Sequence, residues 1–477
     1  MLDSVDGLAA HEAQVARDLS LLRLPPANWL ADHTGPGGEK VLDVLVVGAG
    51  MYGIAAAAAL TFKGIRNILM LDRAPAGQEG PWVTTARMET LRSPKHLPGL
   101  ALGIPSLTFR AWYEARCGVE AWERLYKIPN ADWQDYLLWV RRVLDLPVAN
   151  GVELLRVEQR NGLLAALLRD GQGERVQLCR RLVLATGRAG TGGFAVPPGI
   201  DPGLWPDLAA HGSGPVDFDA LRGRRIVVLG AGPTAWDNAA TALERGAARV
   251  DMYVRRKVLP QVNKGRGSAH PGFFEGWAGL PPAEKWRLLV YMHDLQSPPP
   301  HESVHRALRQ PGFHIHLGTP VAEARRAGAG VGLTLGGGAR AEADFLILGT
   351  GFGMDVAAIP ELAGLAPKVA TWADRFTPPP GQERPELSRF PWLGDGFELA
   401  ARDPAEEPLL SRIHLFSHGA FASLGAIASD VPGASVGAER LAHRMAARFF
   451  AEDIDAIRAR LEAFAEPELQ GTPFFAL

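Results

Sequence analysis

Two stretches of this sequence, VLVVGAGMYGIAAAAAL at 44–60 and IVVLGAGPTAWDNAAT at 226–241, set glycines at a spacing suited to holding a phosphate. In the first, Gly48 permits a tight turn, Gly50 lets the backbone approach an anion, and Gly53 lets a helix pack closely on a strand. The second has Gly230, Gly232 and Ala235, the GxGxxA variant, with Thr234 inside the turn. A helix that starts at such a turn presents unpaired N–H groups and about half a positive charge to a pyrophosphate. The two turns lead into residues of opposite charge. Asp72 and Arg73 come after the first, and the cations Arg255, Arg256 and Lys257 come after the second.

The elements needed to position these residues are legible. The run VLDVLVV at 41–47 is continuous and branched, as in a buried parallel strand. An alanine-rich helix from Met51 to Phe62 and a strand NILMLD ending in Asp72 complete the unit. A carboxylate at that strand end accepts hydrogen bonds from ribose hydroxyls and repels a 2′-phosphate, so the first site suits FAD or NAD. The second unit repeats the order: RRIVVLG at 224–230, a helix to Arg245, then RVDMYV. Its RRK run reads either as a solvated strand end or as a clamp on a 2′-phosphate, since guanidinium groups grip phosphate with bidentate bonds. Its place in the unit favours the clamp, and with it NADPH. A donor of hydride and a flavin that accepts it then share one chain.

The segments RRLVLATGRAG at 180–190 and ADFLILGTGF at 343–352 are strands ending in ATG or GTG, one before the second unit and one after it, and bring Thr186, Gly187, Thr350 and Gly351 to the cofactors. Between 151 and 177, three short runs separated by Asn-Gly and Asp-Gly signals predict an antiparallel meander. The expected fold is α/β, with two Rossmann-like dinucleotide-binding domains, the NADPH domain inserted into the FAD domain. The expected limits are an N-terminal extension to residue 40, a first FAD-domain part at 41–220, the NADPH domain at 221–343 and a second FAD-domain part with a closing helix at 344–477.

With 477 residues, 47% apolar content and a formal net charge of -2, the chain is globular and lacks the basic excess that nucleic acid or an anionic membrane attracts. The acidic N-terminus does not resemble a secretory signal and no apolar run of spanning length occurs, so a cytoplasmic protein is expected. Cys117 and Cys179 are the only cysteines and lie far apart, which disfavours a redox pair. The expected partners are a small molecule and O2; self-association is left open.

Taken together, these motifs resemble the class B flavoprotein monooxygenases: the flavin-containing, N-hydroxylating and Baeyer–Villiger enzymes. The resemblance covers about residues 40–445. It implies that the first turn and Asp72 bind FAD, and that the second turn and its arginines bind NADPH. The ATG segments then mark the crossings between domains. Gly80-Pro81-Trp82 is similar to the family's short Gly-Gly-x-Trp segment, which adds Trp82 to the FAD site. Where the family often has Asn-Thr-Ser-Lys beside the flavin, this chain has Arg92, Ser93, Pro94 and Lys95. The family's linker motif is only partly matched: Trp205 and His211 fit, but Asp207 and Pro215 do not.

The resemblance implies an NADPH-dependent monooxygenase that forms a C4a-(hydro)peroxyflavin and oxygenates a small molecule at nitrogen, sulfur or beside a carbonyl. Arg92 and Lys95 are candidates for flavin contacts, or else belong to an exposed loop. Asn263, with Gln261, is a candidate at the nicotinamide cleft, or else a loop former. His211 reads as a surface-loop or a domain-junction residue, and His418, after Ser417, as a base or a structural histidine. The aromatic segment 270–303 reads as a lid or as packing. Two other functions stay open: an NADPH-driven flavin oxidoreductase that inserts no oxygen, and a non-catalytic flavin-binding redox sensor.

Overall fold

The computed structural model describes residues 3–475. Its first sheet is built on the strand Leu42–Val47, whose side chains are all buried. Both of its faces are covered, the helix Met51–Phe62 packing on one, which is why the run is apolar throughout rather than alternating. Leu42–Val47 pairs in parallel with Ile68–Asp72 on one side and Gly173–Leu184 on the other. Val148–Asn150 extends the sheet beyond Ile68–Asp72, and Ile413–His414 adds in parallel to Gly173–Leu184. The predicted meander is present as Glu153–Arg160, Leu163–Asp170 and Gly173–Leu184, and it continues the same seven-stranded sheet.

The second sheet has five parallel strands in the order Phe313–Leu317, Arg249–Val254, Arg225–Leu229, Phe345–Leu348 and Ala209–His211. Alternate residues serve opposite faces. Ile226 and Val228 meet Ala235 and Ala239 of the helix Pro233–Glu244, while Val227 and Leu229 meet Val331 and Leu333 of a second meander. The sheet therefore passes both expected limits. Ala209–His211 lies before 221 and Phe345–Leu348 after 343, yet both pair within it. Each strand is too short to announce its sheet by pattern; parallel pairing partners are set by tertiary contacts.

The expected N-terminal extension contains a helix, Asp3–Leu21, docked on the first unit: His11 stacks on Trp139, and Glu12 pairs with Arg142. The segment inside the second unit packs elsewhere than its sequence position suggests. Phe274, Trp277, Trp286 and Leu289 join the core of the first unit, where Trp286 lies against Trp372 and Phe376. It is an anchored cover rather than a loose flap. Trp112, Trp122, Trp133 and Trp139 are buried in the same core.

Candidate active site

The first turn is built by close approach. Gly48 has φ +99°, and a Cβ there would lie 2.5 Å from the carbonyl oxygen of Ala185. A Cβ on Gly53 would lie 1.8 Å from the carbonyl oxygen of Gly48, so only glycine fits where the helix Met51–Phe62 crosses the turn. Gly50 faces Gly80, whose neighbour Trp82 brings its indole beside the turn. Asp72 accepts from the amides of Ala49 and Ala74, each at 2.8 Å. The carboxylate is thus tied to the phosphate turn itself and keeps further lone pairs for ribose hydroxyls. Burial raises the pKa of Glu361, an effect that a backbone hydrogen bond and the charge of Arg73 partly offset.

The second turn repeats this geometry. Gly230 has φ +101°, and a Cβ there would lie 2.6 Å from the carbonyl oxygen of Gly349. A Cβ on Gly349 would in turn lie 2.4 Å from that of Ala235. Gly349, a residue the motif reading leaves out in favour of Thr350 and Gly351, therefore lets the helix start sit against the strand end. Its sequence signal is its position: it matches Ala185 of the first unit. A Cβ on Gly232 would meet nothing within 4 Å, which leaves its turn open to an incoming group. Beyond Arg249–Val254, Arg255 is exposed and Arg256 donates to the carbonyl of Asp294 at 3.0 Å. Lys257 is exposed beside Gly318. Arg255 has no hydrogen-bond or ion-pair partner among the described residues.

Between the units, two crossing segments run side by side. Ala195 donates to the carbonyl of Gly351, Gly353 donates to that of Gly193, and Phe194 pairs with Phe352. Thr350 donates to the carbonyl of Ala195. His211 is buried at this junction, stacked on Phe194 at 4.1 Å between ring centroids, and burial lowers its pKa to about 4. It is a junction residue and not a surface-loop histidine.

The residues present at the first turn fit a flavin dinucleotide. Tyr52 Oη, Trp82 Nε1, Thr186 Oγ1, Ser417 Oγ and His418 Nδ1 are buried without a hydrogen-bond partner among the described residues. Buried polar groups in folded proteins are nearly always paired, so these unpaired atoms keep bonding capacity for a polar ligand. Thr186 comes after Gly173–Leu184 and Ser417 after Ile413–His414, so both lie at the carboxyl edge of the parallel strands, where such sheets bind ligands. His418 is neutral there: burial lowers its pKa to about 3. Gly187, with φ +66°, leaves space at this edge.

The three candidates for chemistry fare differently. Lys95 donates to the carbonyl of Trp122 at 2.8 Å and lies 4.9 Å from the Trp122 ring centroid, so it closes the end of the helix Val119–Arg124 and does not reach toward the flavin edge. Arg92 gives its guanidinium to Asp237 of the second unit at 2.6 Å. Asn263 and Gln261 lie in an exposed stretch, Asn263 at the start of the short helix Lys264–Gly267. Long side chains take the nearest fixed counter-charge or carbonyl, which sequence order does not reveal.

Residues 42–368 match the family model of the pyridine nucleotide-disulphide oxidoreductases. The chain belongs to this family. It is an oxidoreductase of the flavin- and pyridine-nucleotide-binding architecture. Within the family it is 39% identical, over 97% of its own length and 98% of the relative's, to an FAD-dependent urate hydroxylase from Xanthomonas campestris. Among solved structures it shares its fold with the ornithine hydroxylase of Pseudomonas aeruginosa: TM-score 0.69, 21% identity, 85% of this chain and 99% of that one. The ornithine N-hydroxylase of Kutzneria sp. 744 superposes with TM-score 0.68 at 16% identity, over 86% of this chain and 99% of that one. The family name includes disulphide chemistry, but Cys117 is exposed, Cys179 is buried in a strand, and both are free.

Proposed function

We propose that this family member is an FAD- and NADPH-dependent monooxygenase that hydroxylates an oxidised purine of the urate type. One observation carries the reading: two phosphate turns of matching geometry flank a shared crossing, with Asp72 on one and the exposed Arg255 on the other, and both cysteines are free thiols rather than a redox pair. The likeness to a urate hydroxylase over nearly the whole chain supports the substrate class. FAD reduced by NADPH supplies the activation of O2 and the transfer of one oxygen atom.

The chain's own residues bind, orient and exclude water. The first glycine turn and Asp72 hold one dinucleotide, while the second turn holds the other and Arg255 and Arg256 select its phosphorylated form. The insert keeps the flavin edge dry. Trp277 packs on Gly425 and donates to the carbonyl of Ala422 at 3.3 Å, and Lys285 donates to that of Ser423 at 2.9 Å. Dry walls suppress wasteful loss of the activated oxygen. His418, kept neutral, presents an uncharged imidazole at that edge.

The test is turnover of the yellow holoprotein with NADPH, urate and related oxidised purines under ¹⁸O-labelled O2. The expected result is a product carrying one labelled oxygen, matched by NADPH consumed. Hydrogen peroxide equal to the NADPH consumed, with every purine offered, overturns the reading.

A further inference from the structure

The helix assigned to the second pyrophosphate carries a buried carboxylate, a charge that repels a phosphate. Asp237 lies four residues past Pro233, the first residue of Pro233–Glu244, or about 6 Å along the axis at 1.5 Å per residue. It is 2% exposed. A negative charge there takes up part of the positive field of the helix N-terminus and repels an incoming phosphate. The charge that answers it comes from the other cofactor unit: Arg92, in the loop expected to line the flavin, at 2.6 Å.

The surroundings fix this pairing. Ser303 of the helix His301–Leu308 donates its hydroxyl to the second oxygen of Asp237. The same helix is held by both units at once. Arg306 pairs with Glu244 at 2.6 Å on the second unit and donates to the carbonyl of Arg87 at 2.9 Å on the first. Glu302 accepts from Lys127 of the first unit at 2.5 Å.

We propose that Arg92 is a positioning residue for NADPH: by neutralising Asp237 across the domain boundary, it makes the second dinucleotide site electrostatically complete only when the flavin unit is docked against it. The proposal rests on the assignment of NADPH to the second turn. It gives Asp237 a purpose as well. A lone carboxylate beside a phosphate site is a penalty; one that needs its partner from the flavin unit ties NADPH affinity to correct assembly of the two units. Asp237 is buried while the Arg92 guanidinium is 41% exposed, so the half of the pair that suffers on losing its partner is the carboxylate.

The experiment measures NADP+ affinity of the FAD-loaded protein by calorimetry, without turnover, for wild type, Arg92→Met, Asp237→Asn and the double variant. Arg92→Met is expected to weaken NADP+ roughly tenfold, because it leaves the carboxylate uncompensated. The double variant, with no buried charge, is expected to return to within about twofold of wild type. FAD content, read from flavin absorbance, shows that each variant is folded; if Arg92→Met loses FAD, Arg92→Lys, which keeps the charge, is expected to bind NADP+ nearly as wild type does. Equal NADP+ affinity in wild type and Arg92→Met overturns the proposal. So does a double variant as weak as Arg92→Met. A wild type that binds NADP+ and shows this pattern but yields no oxygenated purine overturns the proposed function alone; one that binds no NADP+ overturns both.

Discussion

Gly53 faces the carbonyl oxygen of Gly48 so closely that any side chain at residue 53 would put its first carbon 1.8 Å from that oxygen. Helix and strand meet there backbone to backbone. Gly53→Ala is therefore expected to push the helix Met51–Phe62 off its strand, lower Tm by several degrees and strip FAD. Gly232→Ala should differ, since its added carbon meets nothing within 4 Å. It should keep Tm and FAD while weakening NADPH by filling the space a phosphate approaches. Thermal melts and flavin absorbance separate the two outcomes.

Arg255 is an exposed cation of the second unit that no protein group engages among the described residues, whereas Arg256 is partly held by the carbonyl of Asp294. Arg255→Ala is expected to reduce kcat/KM for NADPH by roughly ten- to a hundredfold and leave NADH nearly unchanged, since only NADPH carries the 2′-phosphate. The ratio of kcat/KM for the two nucleotides checks it. An equal loss for both would remove the clamp assignment.

Stability should fall on mild acidification. Burial holds His211 at about 4 and His418 at about 3, below the ordinary 6.5. Between these values the unfolded chain binds protons that the folded chain refuses. The stabilisation is thus fully present above about pH 6.5 and is lost as pH falls from there toward 4 for His211 and 3 for His418. His211→Phe, which keeps the stack on Phe194, should flatten part of this loss between pH 7 and pH 5. Urea unfolding at several pH values is the measurement.

Trp286 anchors the insert in the core of the first unit, 1% exposed between Trp372 and Phe376. Trp286→Ala is expected to cost about 3–5 kcal/mol, as for other buried large-to-small changes. Under the proposed function it should also raise the fraction of NADPH lost to hydrogen peroxide, because the insert proposed to keep the flavin edge dry loosens. Unfolding curves and peroxide assays report the two effects separately.

The sequence alone determined what is local to a turn. Glycine positions, the acid after the first unit and the cations after the second follow from backbone geometry and charge within a few tens of residues. Both dinucleotide units, the meander and the nested order are legible for the same reason. The tertiary structure decided what depends on distant partners. Ala209–His211 and Phe345–Leu348 are too short to declare their sheet, and only their pairing assigns them to the second unit. The aromatic insert reads as part of the unit that contains it, yet its tryptophans are buried in the other. Arg92 is legible as a cation in the flavin-lining loop, but its carboxylate lies 145 residues away on another domain. A turn carries its own geometry in its sequence; a long charged side chain takes its meaning from whichever counter-charge folding brings within reach.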